Sequence, residues 1–93
     1  MFDNTQIRKE LPGRNGERVV ILKWDGMPNS FHNFMKLSKA GEVVWTVTPN
    51  DRYDAVYVNI EFQEAQLTGW TYGGFKDVID YLTGAIIRRE FVK

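Results

Sequence analysis

Two neighbouring side chains in this sequence have the residue types of a nucleophile and its base. Ser30 and His32 are two positions apart, so on an extended strand both would point the same way. His32 is the only histidine, and no GxSxG elbow or glycine-rich phosphate loop accompanies it. We therefore expect His32 to be a surface histidine and the chain not to be an enzyme.

Paired carboxylates are the second candidate, because acid–base hydrolysis needs two of them at a defined distance. Asp77 and Asp80 are three positions apart, which places them on opposite faces of a strand. Asp51 and Asp54 share a polar loop, but a calcium loop takes more oxygen ligands at fixed spacing. The sequence predicts no catalytic residue, no metal site and no cofactor.

Charge is balanced over the whole chain and uneven along it. Twelve basic and twelve acidic residues cancel, so no global field attracts nucleic acid or an anionic membrane. Residues 51–80 carry six carboxylates and two basic side chains, a net charge of −4, whereas residues 1–50 and 81–93 each carry +2. Such a segment forms either an acidic patch for a basic partner or an ordinary solvated face.

Aromatic side chains lie among these carboxylates. Trp70 and Tyr72 share one side of a predicted strand, and Tyr57 lies beside Glu61 opposite an apolar set. Tyr and Trp anchor protein interfaces, although Trp70 and Tyr72 could instead fill the core over Gly69. The predicted partner-binding residues are Asp51, Asp54, Tyr57, Glu61, Trp70, Tyr72 and Asp77.

Antiparallel strands are the elements predicted to position these residues. β-Forming residues alternate with polar ones from residue 17 onward, and turn residues recur at short intervals. In the clearest strand, 55–62, the core side is predicted to hold Val56, Val58, Ile60 and Phe62. On the strand 43–47, the side chains of Val43, Trp45 and Val47 share a face. The other predicted strands are 18–24, 31–37, 66–72, 75–81 and 85–92.

Two segments leave alternatives open. Residues 74–82 also fit a short helix, and residues 1–14 form either an edge strand or an irregular segment. Neither alternative changes the predicted fold class, which is all-β. We predict one all-β domain over residues 1–93, an antiparallel meander of about six to eight strands that forms an open twisted sheet, a half-barrel or a sandwich.

Composition gives the chain its broad class. Hydrophobic residues make up 43% and charged residues 26%, as in ordinary globular proteins. No cysteine is present, which favours a cytoplasmic location over a disulfide-rich secreted one. The longest aliphatic run, residues 19–22, is far too short for a membrane helix, so no membrane association is expected.

A short internal sequence repeat, the echo, occurs at two of the predicted turns. Gly41-Glu42-Val43-Val44-Trp45 returns 43 residues later as Gly84-Ala85-Ile86-Ile87-Arg88, a spacing typical of one propeller blade. Residues 36–45 and the segment Ile79-Asp80-Tyr81-Leu82-Thr83-Gly84-Ala85-Ile86-Ile87 resemble a quinoprotein-type (PQQ-like) β-propeller blade. The resemblance covers residues 31–93 and departs at Arg88, where the blade pattern has tryptophan. It implies blade-like strand order without a quinone site, because 93 residues cannot close a propeller.

These observations predict a non-catalytic protein-binding protein, monomeric or weakly oligomeric. The short, neutral, cysteine-free chain resembles the small immunity proteins of bacterial contact-dependent inhibition systems, which implies a basic toxin such as a nuclease as partner. Two other functions stay open. One is a structural domain that assembles with its own copies through open sheet edges, and the other is a small enzyme using Asp77, Asp80 or His32.

Overall fold

The fold is all-β, as the alternation of apolar and polar residues predicted. A computed structural model describes residues 6–24, 32–48 and 56–92. Within these ranges the chain forms eight antiparallel strands and no α-helix. The strands are β1 (Ile7–Pro12), β2 (Arg18–Leu22), β3 (Phe34–Leu37), β4 (Val43–Thr46), β5 (Tyr57–Gln63), β6 (Gln66–Thr71), β7 (Phe75–Ile79) and β8 (Ile86–Phe91).

Two four-stranded sheets contain these strands in sequence order. Sheet 1 has the order β1-β2-β3-β4 and sheet 2 the order β5-β6-β7-β8, so each is a meander. Tight turns make this possible. Glu64 and Ala65 join β5 to β6 with φ values of 51° and 67°, the left-handed conformation that two-residue hairpin turns require. The structure also decides the two open alternatives: residues 75–79 are a strand, and residues 7–12 form β1, one of the two edge strands of sheet 1.

The internal echo falls at the same place in each sheet. Gly41 lies in the turn before β4 and Gly84 in the turn before β8, with φ values of 88° and 79°. Glycine adopts this region without penalty. Each echo therefore marks the last hairpin of a four-stranded unit.

The main core lies between the two sheets. It is formed by Val19, Ile21, Phe34, Trp45 and Val47 from the first half and by Tyr57, Ile60, Leu67, Ile79 and Tyr81 from the second. A second buried cluster on the opposite face of sheet 1 comprises Val20, Leu22, Met35 and Leu37, with Ile7 against it. The unbroken aliphatic run of β2 is explained by this arrangement, since both faces of the strand are buried.

The predicted core face of the strand 55–62 is correct for Val56 and Ile60, which are buried, and misses Tyr57 because of a β-bulge. Tyr57 pairs with Thr71, but Asn59 pairs with Trp70, so one residue is skipped. A skipped residue reverses the alternation of side chains. Tyr57 and Ile60 consequently both enter the core. Phe62 lies on the same side as Ile60 but near the end of the strand, and it is 41% exposed.

A second bulge makes the predicted shared face of β4 wrong at Val43. Lys36 pairs with Trp45, and its neighbour Leu37 pairs with Val43. The shift removes Val43 from the side that Trp45 and Val47 share. Val43 is 51% exposed, while the other two are buried.

Candidate functional site

The predicted partner-binding residues do not form one surface. Asp51 and Asp54 lie outside the described residues. Glu61 is exposed, Trp70 is half-buried, and Tyr72 is 71% exposed at the turn after β6. Tyr57 and Asp77 are fully buried, so the expectation that these two side chains face solvent is wrong.

Tyr57 and Asp77 instead belong to a buried polar network on the inner face of sheet 2. The Tyr57 hydroxyl donates to Asp77 Oδ2 at 2.5 Å. Arg89 binds the same carboxylate through Nε at 2.7 Å and Nη2 at 2.9 Å, a bidentate ion pair. Burial and the hydrogen bond to the Asp77 carboxylate raise the pKa of Tyr57 well above its ordinary value. The network neutralises a buried charge and leaves no oxygen of Asp77 for a partner.

A second polar cluster, around Lys36, joins the two sheets. Lys36 is 3% exposed, and its Nζ donates to the Tyr81 carbonyl oxygen at 2.9 Å. The indole N–H of Trp45 donates to the same oxygen at 2.8 Å. Lys36 Nζ also lies 3.7 Å from Glu17 Oε2 and 4.2 Å from the centre of the Tyr81 ring. The cluster thus ties β3 and β4 to the loop between β7 and β8.

Tyr81 completes this cluster. Its hydroxyl donates to Glu17 Oε1 at 2.7 Å and accepts from the Arg14 backbone N–H at 2.8 Å. Burial raises the pKa of the Tyr81 hydroxyl. Sequence analysis did not single out Lys36. The available signal was a lysine that shares one side of a short strand with Phe34, where an alternating pattern places core residues.

Asn33 provides a third connection between the sheets. Its side-chain amide donates to the backbone oxygens of Leu22 at 3.0 Å and Tyr57 at 2.8 Å, and its Oδ1 accepts from the Tyr57 N–H at 2.8 Å. Across the described ranges, every buried side-chain nitrogen and oxygen has a hydrogen-bond partner. The interior polar groups are therefore structural connections, and a binding site must be sought at the surface.

The outer face of sheet 2, away from the core, carries a surface depression. This outer groove has a volume of about 430 Å³ and is lined by Gln63, Glu64, Gln66, Thr68, Lys76, Val78 and Arg88. A second depression of about 250 Å³ shares Gln66 and Val78 with it and extends to Leu82 and Ile87. Those two side chains are 70% and 65% exposed. The face thus combines a polar groove with an apolar end.

Two of the predicted residues lie on this face. Trp70 pairs with Asn59 on one side and Lys76 on the other, while Glu61 pairs with Thr68. The alternation of β6 places Trp70 on the same side as Thr68, which lines the groove. Sheet register therefore places Glu61 and Trp70 on one face, beside the outer groove.

Charge on this face is mixed. Glu61 lies 3.8 Å from Lys9 Nζ, and Arg88 lies 3.0 Å from Glu90. Lys76 adds a further positive charge to the groove. Because Asp77 is buried and paired with Arg89, the acidic excess of residues 51–80 is not concentrated here.

The residues considered for catalysis lie in different settings or outside the described ranges. His32 is exposed, Ser30 lies outside the described residues, and Asp77 is bound to Arg89. No group of three or more His, Cys, Asp or Glu side chains that could hold a metal ion occurs in 6–24, 32–48 or 56–92. Within the same ranges, no helix is long and apolar enough to cross a membrane.

A family model described as "Domain of unknown function (DUF7957)" matches residues 6–91. The chain belongs to this family. The match runs from just before β1 to the end of β8, so the DUF7957 domain comprises both sheets. No curated protein and no solved structure matches the chain. The resemblances to a propeller blade and to immunity proteins stay predictions.

Proposed function

We propose that this DUF7957 protein is non-catalytic and binds another protein through the outer face of sheet 2. The observation that supports this most directly is the outer groove beside Trp70, with its apolar end at Leu82 and Ile87. Trp70 is half-buried on the same face as the groove, and Leu82 and Ile87 are exposed at its other end. Tryptophan and exposed apolar side chains are residue types that interface centres use. The surrounding glutamines and charges supply a polar rim.

An extended segment of a protein partner fits this groove best. The amides of Gln63 and Gln66 can donate and accept hydrogen bonds, which a peptide backbone needs when it leaves water. Leu82 and Ile87 offer an apolar contact at one end. The buried polar side chains beneath the groove all have hydrogen-bond partners within the described residues, so the partner would have to bind at the surface.

The charge of the partner is the narrower part of the proposal. Glu61 and Glu64 would face basic side chains, as in the immunity-type role with a cationic toxin in the cytoplasm that the sequence predicts. Lys76 and Arg88 on the same face reduce the acidic character on which that version depends. We therefore propose protein binding as the general function and a basic toxin as the specific partner.

Capture experiments with matched variants test the proposal. Wild-type protein is used as bait in extracts of the source cell, beside Trp70→Ala, Glu64→Lys and Glu42→Lys. Glu42 is an exposed carboxylate in the turn before β4 in sheet 1, so its reversal changes charge without touching the outer face. One protein retained by the wild type and by Glu42→Lys, but lost with Trp70→Ala, is the expected result.

Glu64→Lys then decides the charge of the partner. Loss of capture supports a basic partner, whereas unchanged or stronger capture removes the cationic-toxin form of the proposal. If all four baits retain the same proteins, the outer face is not the binding surface and the proposed function fails.

A further inference from the structure

The second depression, which we call the end pocket, lies at the end of sheet 2 where the β5–β6 turn and the β7–β8 loop meet. Its volume is about 250 Å³. A cavity of about 150 Å³ already holds a benzene-sized group, so the end pocket has room for one large apolar side chain. Its apolar walls are formed by Leu67, Val78, Ile79, Leu82 and Ile87.

A cation from the first half of the chain completes the end pocket. Of the described lining residues, Arg14 is the one that does not come from residues 56–92, and it lies in the turn between β1 and β2. Its backbone N–H donates to the Tyr81 hydroxyl at 2.8 Å, and its guanidinium carbon lies 4.7 Å from the centre of the Tyr81 ring. A cation over an aromatic face is attracted to it. Two contacts with one side chain therefore hold Arg14 beside the pocket.

The guanidinium of Arg14 has no carboxylate partner among residues 6–24, 32–48 and 56–92. Asp80 also lines the pocket, but its Oδ1 accepts the Leu82 N–H at 2.9 Å. Glu17 accepts the Tyr81 hydroxyl and lies beside Lys36. A guanidinium over a ring keeps the N–H groups at its rim, which suit a carboxylate in geometry and charge. Arg14 can therefore bind a carboxylate from outside the chain.

We propose that the end pocket binds the C-terminal residue of the partner protein, with the terminal carboxylate on Arg14 and an apolar side chain against Leu82 and Ile87. This inference rests on the proposed function. Gln66 and Val78 line both the outer groove and the end pocket, so a peptide extended along the groove reaches the pocket with one of its ends.

The chemistry of the pocket favours a C-terminal residue over an internal one. A C-terminal residue carries a carboxylate and a side chain on the same Cα, so one residue can meet both the cation and the apolar wall. An internal aspartate or glutamate has its carboxylate in place of an apolar side chain. Charge and apolar surface together thus match a carboxyl terminus with an apolar last residue.

Two synthetic peptides test the role of the carboxylate. Both are N-acetylated and have the sequence Gly-Ser-Gly-Ser-Leu, but one ends in a free carboxylate and the other in an amide. NMR titration of the Leu82 and Ile87 methyl signals measures the dissociation constants and shows that the peptide occupies the pocket. We expect the free acid to bind about tenfold more tightly than the amide, because only the acid forms a charge-assisted pair with Arg14.

Matched arginine variants show which cation is responsible. Arg14→Gln should leave the two peptides with similar dissociation constants. Arg8→Gln is the control, because Arg8 is also exposed and its guanidinium carbon lies 4.2 Å from the Trp24 ring centre, yet it lines neither depression. This variant should keep the tenfold preference for the acid. Circular dichroism melts establish that both variants are folded.

A third ligand, 4-methylpentanoate, separates a peptide terminus from a small apolar acid. It has the carboxylate and the branched chain without a peptide backbone, and it should bind more weakly than the free-acid peptide. Equal or tighter binding would overturn the proposal. So would equal binding of acid and amide, loss of the preference in both arginine variants, or no methyl shift at millimolar peptide.

These outcomes are distinct from those of the capture experiment. If Trp70→Ala loses the captured protein while Arg14→Gln retains it and the two peptides do not differ, the C-terminal inference fails and the proposed function stands. If the free-acid peptide binds through Arg14 but Trp70→Ala retains every captured protein, the proposed function fails and the end pocket stands as a carboxylate site.

Discussion

The Tyr57 hydroxyl in β5 donates a 2.5 Å hydrogen bond to the Asp77 carboxylate in β7, across the intervening strand β6. Gly69 in β6 lies opposite Ile60 of β5 on one side and opposite Asp77 of β7 on the other. A Cβ on Gly69 would lie 2.7 Å from the Tyr57 and Phe34 rings. The missing side chain of Gly69 therefore gives Tyr57 the space to reach Asp77.

Removing the Tyr57 hydroxyl should weaken the fold moderately. In Tyr57→Phe, Asp77 keeps its ion pair with Arg89 and loses one hydrogen bond, which lowers the free energy of unfolding by about 1–3 kcal/mol. Urea denaturation measures the change. Tyr72→Phe is the control, because the Tyr72 side chain is 71% exposed, and it should be neutral. Equal effects of the two substitutions would contradict a structural role for the buried hydroxyl.

Arg89→Ala should cost more than Tyr57→Phe. It leaves the buried Asp77 carboxylate without its cation, a change that typically costs about 3–5 kcal/mol. The Arg89 side chain is 22% exposed, which places the expected loss at the lower end of that range. Thermal unfolding compares the two variants, with Arg18→Ala as the control for an arginine in a more exposed ion pair. A loss no larger than that of Arg18→Ala would show that the Asp77–Arg89 pair is not important for stability.

Alanine substitution should lower the free energy of unfolding by different amounts at the two glycines of the echo. Gly41→Ala and Gly84→Ala both force a side chain into positive φ, at a cost of about 1 kcal/mol. At Gly84 the new Cβ would also lie 2.7 Å from the Trp45 ring, whereas at Gly41 nothing lies within 4 Å. We expect Gly84→Ala to be the more destabilising by roughly 1–3 kcal/mol in urea denaturation. Equal losses would mean that Trp45 moves aside freely.

The Lys36 cluster predicts energetic coupling between two charges. Lys36→Met and Glu17→Gln each remove one partner of the ion pair, whose Nζ–Oε2 distance is 3.7 Å. A double-mutant cycle should give an interaction free energy of about 0.5–3 kcal/mol, because Lys36 is almost completely buried. Lys23→Met is the control in the same cycle, since Lys23 is exposed, lies beyond the end of β2 that is far from Glu17, and should not couple to it. Additive effects of Lys36→Met and Glu17→Gln would show that the two side chains are not energetically coupled.

Alkaline pH should destabilise the protein through its buried tyrosines. In the unfolded chain a tyrosine ionises near its ordinary pKa of 10.0, whereas burial raises the pKa of Tyr57 and Tyr81 in the fold. Above pH 10 the folded state thus holds more protons than the unfolded state, so the free energy of unfolding falls as pH rises. Tyr57 alone contributes a slope of up to about 1.4 kcal/mol per pH unit.

Urea denaturation between pH 8 and pH 11 measures this slope. Tyr57→Phe should lose less stability than the wild type over the interval above pH 10, and the two should run parallel below it. Parallel curves over the whole range would show that Tyr57 ionises in the fold as readily as in the unfolded chain.

Local patterns were sufficient for the fold class and for the order of the strands. Alternation and turn residues report on a few neighbouring positions, and in a meander each strand pairs with the next along the chain. The echo of Gly41 and Gly84 could be recognised for the same reason. Glu61 and Trp70, which were both predicted to bind a partner, lie on one face because their strands are adjacent and joined by a two-residue turn.

Tertiary structure alone decided which side chains are buried where the pairing is irregular and where partners come from distant strands. The bulges in β4 and β5 depend on how the neighbouring strand pairs, so alternation within one strand could not show that Val43 is exposed and Tyr57 buried. Asp77 looked like a surface carboxylate because its partner, Arg89, lies twelve positions away and meets it only through the register of β7 and β8. A charge can be buried only when a partner is present to compensate it, and that partner is set by the packing of the whole sheet.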